Sequence, residues 1–211
     1  MEYINGTIKN WSKSNFQIFW GEIAPCDHLV QFYESNHIFL NTLEGFIGDG
    51  FLKGENVIII ATPEHISEIN ARLVSQNFDI EKLTATGAYI AVEVSEAISK
   101  FMINDWPDEK LFIEFVNSLL THAPTASKTR VFGEIVAVLW EQGLHGATVQ
   151  LEDLWHRFLH TNPFCLYCAY PKSGFTQDFT DSILNICKSH SRIIDGSPRP
   201  STEIYYTPSV L

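Results

Sequence analysis

The chain has 211 residues, of which 45% are hydrophobic and 18% charged, a globular composition that excludes wholesale disorder and suffices for one sizeable core. Lys and Arg number 14 against 25 Asp and Glu, giving a formal net charge of −11, and with no basic cluster that field repels nucleic acid and anionic lipid. The opening "MEYINGTIKNW" lacks the basic and apolar segments of a secretory signal, and no apolar run approaches the ~20 residues that span a bilayer.

Residues 1–25 carry Trp11, Phe16, Phe19 and Trp20 without clear periodicity and read as an arm. "HLVQFY" (28–33) is a short strand candidate. In the following segment Ile38, Phe39, Leu43, Phe46 and Ile47 share a helical face, with a stop expected at Gly48 and Gly50. "NVIIIAT" (56–62) is a continuous β-branched run, as a strand buried on both faces requires. Thr62 then caps a helix with Pro63 in its first position and Glu64 at the positive end of the dipole.

"AYIAVEV" (88–94) is the next strand, and Ser95 is expected to cap "EAISKFM". "WPDEKLFIEFVNSLLTHA" is a helix with Pro107 at its start. "TRVFGEI" (129–135) is a strand leading into helical "VAVLWEQG" and "ATVQLEDLWHRFLHTN". "FCLYCAY" (164–170) is a strand ended by Pro171, and "TQDFTDSILNICKSH" is a last helix. Residues 196–211, rich in Pro and Ser, are expected to lie over the surface. The alternation of apolar strands and helices specifies an α/β three-layer sandwich with a mostly parallel central sheet. Such sheets bind ligands beyond their strands' carboxyl ends, which singles out Tyr33–Asn36, Thr62–His65, Glu134 and Tyr170–Ser173.

No G-x-x-x-x-G-K-[ST] phosphate loop is present, and "YESNHIF" after the first strand has neither the glycines nor the lysine to replace it. "GDGFLKG" (48–54) has Lys53 where a dinucleotide fingerprint needs glycine, and precedes a strand. The C-x-x-C of Cys165 and Cys168 lies on a strand, where the two thiols diverge, and reads as two core cysteines. Cys26 and Cys187 complete the four cysteines; with no disulfide framework they imply free thiols and a cytoplasmic setting. Glu152, His156 and His160 recur every four residues beside an apolar stripe and read as a solvated polar face. H-E-x-x-H is missing, so no metal ligand is assigned.

Glu134 stands alone in the apolar "RVFGEIVAVLW". It shares a strand face with Arg130, but four residues put the two roughly 13 Å apart, too far for an ion pair. A carboxylate in such surroundings needs a partner, water, a ligand or a proton. Functional and structural roles both remain open for it.

"HLVQFYES", "GENVIIIATPEH", "RVFGEIVAVLW", "LEDLWHRF", "FCLYCAYP" and "CKSHSRIIDG…YY" follow in an order that resembles the MEDS domain, the methanogen/methylotroph DcmR-type sensory domain of bacteria and archaea. The resemblance covers about residues 26–206. It implies a RecA/KaiC-like fold without a phosphate-binding loop and a sensory domain over 26–195, flanked by the arm and the C-terminal tail. It also implies a sensory or regulatory role, in a family whose members are often fused to histidine kinases, anti-sigma-type domains or DNA-binding helices. Carried over residue by residue, its pattern falls on His28, Tyr33, Arg130, Gly133, Glu134, Glu152, Cys168, Tyr170 and His190.

The ligand-binding set expected from the resemblance and the strand-edge argument is His28, Tyr33, Arg130, Glu134, Glu152, Cys168, Tyr170 and His190. The cofactor is unknown, and no residue is assigned to catalysis. The expected module is stand-alone and cytoplasmic, binding a small ligand and acting through a partner such as a histidine kinase or transcription regulator. It does so without direct contact to nucleic acid or membrane; homodimerisation is open. Two other readings stand beside it: a divergent hydrolase or transferase with Glu134 as general base assisted by His28 or His190, and a ligand-free scaffold.

Overall fold

The computed structural model of the chain describes residues 20, 23–24, 26–125, 127–175, 186–196 and 204–206. In chain order the elements are β1 (His28–Tyr33), α1 (Asn36–Leu52), β2 (Asn56–Ala61), α2 (Pro63–Ser75), α3 (Ile80–Ala85), β3 (Tyr89–Glu93), α4 (Val94–Phe101), β4 (Met102–Ile103), β5 (Trp106–Pro107), α5 (Glu109–His122), β6 (Thr129–Gly133), α6 (Ile135–Glu141), α7 (His145–Thr161), β7 (Cys165–Pro171), β8 (Arg192–Gly196) and β9 (Ile204–Tyr206). Seven strands form one sheet in the order β3-β2-β6-β7-β1-β8-β9. Every pairing from β3 to β8 is parallel, and β9 closes the edge antiparallel to β8.

The two-residue period of the strands divides the core into two layers. Val57, Ile59, Ala61, Phe132, Tyr167 and Ala169 pack with Phe39, Leu43, Phe46, Ile69 and Leu73 of α1 and α2. Their neighbours Ile58, Ile60, Val131, Leu166, Cys168 and Tyr170 pack with Phe101, Phe112, Ile135, Leu139, Leu151 and Trp155 of α4 to α7. The sheet is therefore covered by helices on both sides, the three-layer α/β architecture expected from the sequence. Cys165 and Cys168 fall in opposite layers, three residues apart on one strand.

Several boundaries differ from expectation. α1 does not stop at Gly48 and Gly50 but runs to Leu52. Gly50 is there for space: a Cβ would lie 3.0 Å from Arg130 Cδ and 3.3 Å from Val57 Cγ2. The turn follows at Gly54, whose φ of +70° suits glycine. α4 begins one residue before Ser95, which instead donates to Glu93 at its N-terminus. α5 is capped by the Asp108 carboxylate, which accepts from the Leu111 amide at 2.9 Å, and Pro107 belongs to β5.

β4 and β5 form a hairpin whose two turn residues, Asn104 and Asp105, both have positive φ, the requirement of a type I′ turn. The tail does not simply cover the surface, since Ile204–Tyr206 extends the sheet. Of the expected last helix only its end, residues 186–188, lies within the described residues. Trp20 is buried edge-on against Phe46, with ring centroids 5.4 Å apart; the rest of the expected arm, apart from residues 23 and 24, lies outside the described residues.

Candidate functional site

The strands' carboxyl ends carry Glu134, the residue where β6 gives way to α6. Its own amide donates to the Ile60 carbonyl at 2.8 Å, so the backbone is still tied to β2 as the helix begins. Its carboxylate turns towards α2. Oε2 accepts from the Thr62 amide at 2.9 Å and Oε1 meets His65 Nδ1 at 2.7 Å, while His65 Nε2 lies 3.0 Å from Asn36 Oδ1.

The carboxylate thus sits on the positive end of α2 and pairs with an imidazole one turn in. That hydrogen bond, ahead of the opposing effect of burial, raises the His65 pKa. Tyr33 stacks on Phe39 at 4.9 Å, and its phenol is pushed up by burial and then by Glu134. His65 is the partner that Glu134 needed. The sequence marked it only by its place after strand β2, and the 69 residues between the two hide the pairing.

Arg130 lies at the other end of β6. Its guanidinium donates to Glu55 Oε2 at 2.5 Å, to Asp49 Oδ2 at 2.6 Å and to the Phe46 carbonyl at 3.0 Å, and Cζ lies 5.4 Å from the Phe46 ring centroid. These contacts fasten the start of β6 to α1 and to the turn after it. Arg130 and Glu134 do not pair, as the strand geometry required.

Five of the eight expected site residues come together elsewhere, beneath α7. Cys168 and Tyr170 project from β7 into the layer that α7 covers, and His28 joins them from the start of β1. Glu152 descends from α7, and His190 comes from the segment preceding β8. All five are buried. Tyr170 donates to Glu152 Oε1 at 2.5 Å. Glu152 Oε2 lies 3.5 Å from His28 Nε2, 3.4 Å from His190 Nε2 and 3.9 Å from Cys168 Sγ, and Cys168 Sγ lies 3.6 Å from His28 Nε2.

Each histidine turns its other nitrogen to the backbone, His28 Nδ1 to the Ser189 carbonyl at 2.9 Å and His190 Nδ1 to the Ile186 carbonyl at 2.6 Å. A carbonyl only accepts, so Nδ1 carries the proton and the Nε2 lone pairs of the neutral rings face Glu152. Burial drives the chemistry of the cluster. It lowers the His28 pKa well below its usual range, helped by His190, and takes His190 down to about 3. It raises Glu152 to about 8 against the hydrogen bonds from Tyr170 and Cys168, and holds the Cys168 thiol and Tyr170 phenol protonated. The His–Glu contacts are therefore not ion pairs at neutral pH, despite their distances. They join neutral imidazoles to a carboxyl that retains its proton.

Glu152 is not part of a solvated face: it is fully buried, while His160 two turns further along is exposed and His156 is intermediate. The apolar stripe is wide enough to include it because Cys168 and Tyr170 give its carboxyl something to meet. Nor do the cysteines behave alike, since Cys168 faces the cluster and Cys165 the opposite layer. The donors that α7 lacks for a metal motif arrive from β1, β7 and the segment before β8. His28, Glu152, Cys168 and His190 each offer a ligand atom, and all four atoms lie within 4.8 Å of one another. Neither His28 nor His190 stands behind Glu134, because both nitrogens of each ring are directed to the cluster and the backbone around it.

The chain is an α/β three-layer sandwich whose polar groups converge inside the core, beneath α7, and not at a phosphate loop on the sheet edge. The model of the MEDS family, described as the MEthanogen/methylotroph, DcmR Sensory domain, matches residues 27–191, and the chain belongs to that family. Among solved structures it is similar to a KaiC-like protein from the hyperthermophilic archaeon Pyrococcus horikoshii OT3, with TM-score 0.57 and 13% identity over 87% of this chain and 79% of that one. A second Pyrococcus horikoshii OT3 protein gives TM-score 0.55 and 9% identity over 92% of this chain and 91% of that one. At such identities these likenesses concern the fold. No curated protein matches the chain. No helix among the described residues is long and apolar enough to cross a membrane.

Proposed function

We propose that the chain is a cytoplasmic sensory module in which the cluster of His28, Glu152, Cys168, Tyr170 and His190 receives a small ligand. Occupancy would be read by a separate signalling protein, such as a histidine kinase or transcription regulator. One observation carries this reading: five polar side chains from four segments meet in an interior that burial makes hostile to them. A scaffold gains nothing from that arrangement, since apolar residues of similar volume stabilise a core at least as well. His190 supplies the route outward. It lies two residues before the start of β8, which pairs with β1 on one side and β9 on the other, so a ligand that tightens its position also tightens the sheet's outer edge.

The test is native mass spectrometry of freshly purified protein together with a thermal-shift screen of small metabolites and ions. A ligand at a hundredfold excess over its Kd stabilises by about 2.7 kcal/mol, a shift of several degrees for a domain of this size. The expected result is a ligand whose effect disappears in Glu152→Gln and Tyr170→Phe and survives in Glu134→Gln. Ligands that act equally on all three variants, or a protein that carries and responds to nothing, would refute the proposal.

A further inference from the structure

We infer that His28, Glu152, Cys168 and His190 form a tetrahedral site for a divalent transition-metal ion of the size and softness of zinc. The inference rests on reading the cluster as the ligand site, and it names the class of ligand.

The donor geometry is the first argument. Zinc bonds of ~2.0–2.1 Å to nitrogen or oxygen and ~2.3 Å to sulfur put the ligand atoms of a tetrahedron ~3.3–3.6 Å apart along its edges. The measured separations are 3.4 and 3.5 Å from Glu152 Oε2 to the two Nε2 atoms, 3.6 Å from Cys168 Sγ to His28 Nε2 and 3.9 Å from Cys168 Sγ to Glu152 Oε2. N–H···O hydrogen bonds sit nearer ~2.9 Å, so the two nitrogen–oxygen separations of 3.4 and 3.5 Å match tetrahedral edges, while the 3.9 Å sulfur–oxygen edge closes by a few tenths of an ångström when an ion is bound, and all four ligand atoms lie within 4.8 Å of one another.

Orientation is the second. Both imidazoles donate Nδ1–H to a backbone carbonyl, at 2.9 Å for His28 and 2.6 Å for His190, which fixes Nε2 as the ligating atom. Tyr170 holds the other oxygen of Glu152 at 2.5 Å, which leaves Oε2 for the ion. Metal-binding histidines and carboxylates are supported in this way by their outer partners.

Charge is the third. Binding releases the thiol proton of Cys168 and the carboxyl proton of Glu152 to solvent as the metal–sulfur and metal–oxygen bonds form. Two anionic and two neutral ligands around a dication give a complex of zero net charge, the form that a dry interior tolerates best. Magnesium and calcium do not suit the site, because they take six or more hard oxygen ligands and only one of these four donors is oxygen. Half-buried His156 and exposed His160, with Nε2 atoms 3.2 Å apart, form a second pair of nitrogens whose binding any test must exclude.

The experiment is titration of the reduced, chelator-stripped full chain with Co2+ followed by displacement with Zn2+. The expected result is one ion per chain, with the visible bands of tetrahedral cobalt and a near-ultraviolet thiolate-to-cobalt transition, both removed by Zn2+. Cys168→Ser should lose the thiolate band and bind at least tenfold more weakly, while His160→Ala should change neither. A wild-type spectrum without the thiolate band, or binding abolished by His160→Ala, would overturn the inference, whether or not the cluster variants fold. Failure here with an organic ligand still bound in a Glu152-dependent manner would sink the metal and leave the sensory reading intact. Stoichiometric cobalt binding that leaves amide exchange of β8 and β9 unchanged would uphold the metal site and count against the sensory reading.

Discussion

Replacing Glu134 by Gln should destabilise the protein more at pH 6 than at pH 9. At the lower pH His65 is an imidazolium 2.7 Å from a carboxylate oxygen, and both side chains are nearly buried, at 15% and 8% exposure, so solvent screens the pair little. A charge-assisted hydrogen bond of this kind contributes roughly 1.5–3 kcal/mol. Glutamine cannot replace it. Its one oxygen can serve either the Thr62 amide or His65 Nδ1–H, and its NH2 group then faces a second donor. Above the raised His65 pKa the ring is neutral and can change tautomer, so that Nδ1 accepts from the glutamine NH2 while Nε2–H donates to Asn36. The loss should then fall to about 1 kcal/mol or less.

The sign follows from linkage. Unfolded histidine titrates near 6.5 and folded His65 higher, so the stabilisation is complete below about 6.5 and is lost as pH rises through the folded value. Glu134 faces the ring from the β6–α6 junction, Asn36 from α1, and Glu64 and Glu68 from its own helix. The substitution removes only the first. The assay is urea denaturation of both proteins at the two pH values, taking the difference so that titrations shared by both cancel. Equal losses at pH 6 and pH 9 would refute the ion pair.

Arg130→Met should cost about 3 kcal/mol in chemical denaturation, at the low end for a broken buried pair because Asp49 and Glu55 keep some access to water. It should leave binding at the buried cluster unchanged; a selective loss of binding would return Arg130 to the site. Gly50→Ala gains ~1 kcal/mol of helix propensity, but its methyl meets an Arg130 side chain pinned by three hydrogen bonds, and overpacking of ~1–3 kcal/mol should make the variant less stable overall. A raised Tm would show that Arg130 gives way. Tyr167→Phe removes a buried donor to Gln31, whose amide also donates to Thr42. It should cost ~1–3 kcal/mol without altering metal titration, because Tyr167 belongs to the layer opposite Glu152.

The architecture was legible wherever a local pattern had a single structural meaning. The run Val57–Ala61 can only be a strand buried on both faces, and Thr62–Pro63 can only begin a helix. β8 and β9 were not, since "RIIDG" and "IYY" are short and become strands through the edge that β1 offers. The positive-φ pair Asn104–Asp105 was a readable turn signal that the helical periodicity on either side obscured. In the site, the strand-end rule found Glu134 and its neighbourhood. The same rule also named Tyr170, which projects from a strand face into the layer beneath α7, and it did not reach His28 or Cys168, which only the family resemblance marked. Glu152 was ambiguous because a residue bordering an apolar stripe turns inward only if something polar waits there, and that information lay in β1, β7 and the segment before β8.

An isolated carboxylate in an apolar run therefore says less about its role than the balance of donors and acceptors around it. Glu134 is flanked by apolar residues, yet its two oxygens meet two donors, Thr62 N–H and His65 Nδ1–H, and the account closes within the fold. At Glu152 one oxygen takes the Tyr170 hydroxyl, while the other converges with two imidazole nitrogens whose protons are committed to carbonyls. The one proton of the Glu152 carboxyl can serve only one of the two imidazole nitrogens at a time, and the nitrogen–oxygen separations of 3.4 and 3.5 Å are long for a hydrogen bond and match the edges of a metal-ion tetrahedron. That convergence, more than burial alone, is what distinguishes the surroundings of Glu152 from those of Glu134, and it is the ground on which the ligand site is proposed there.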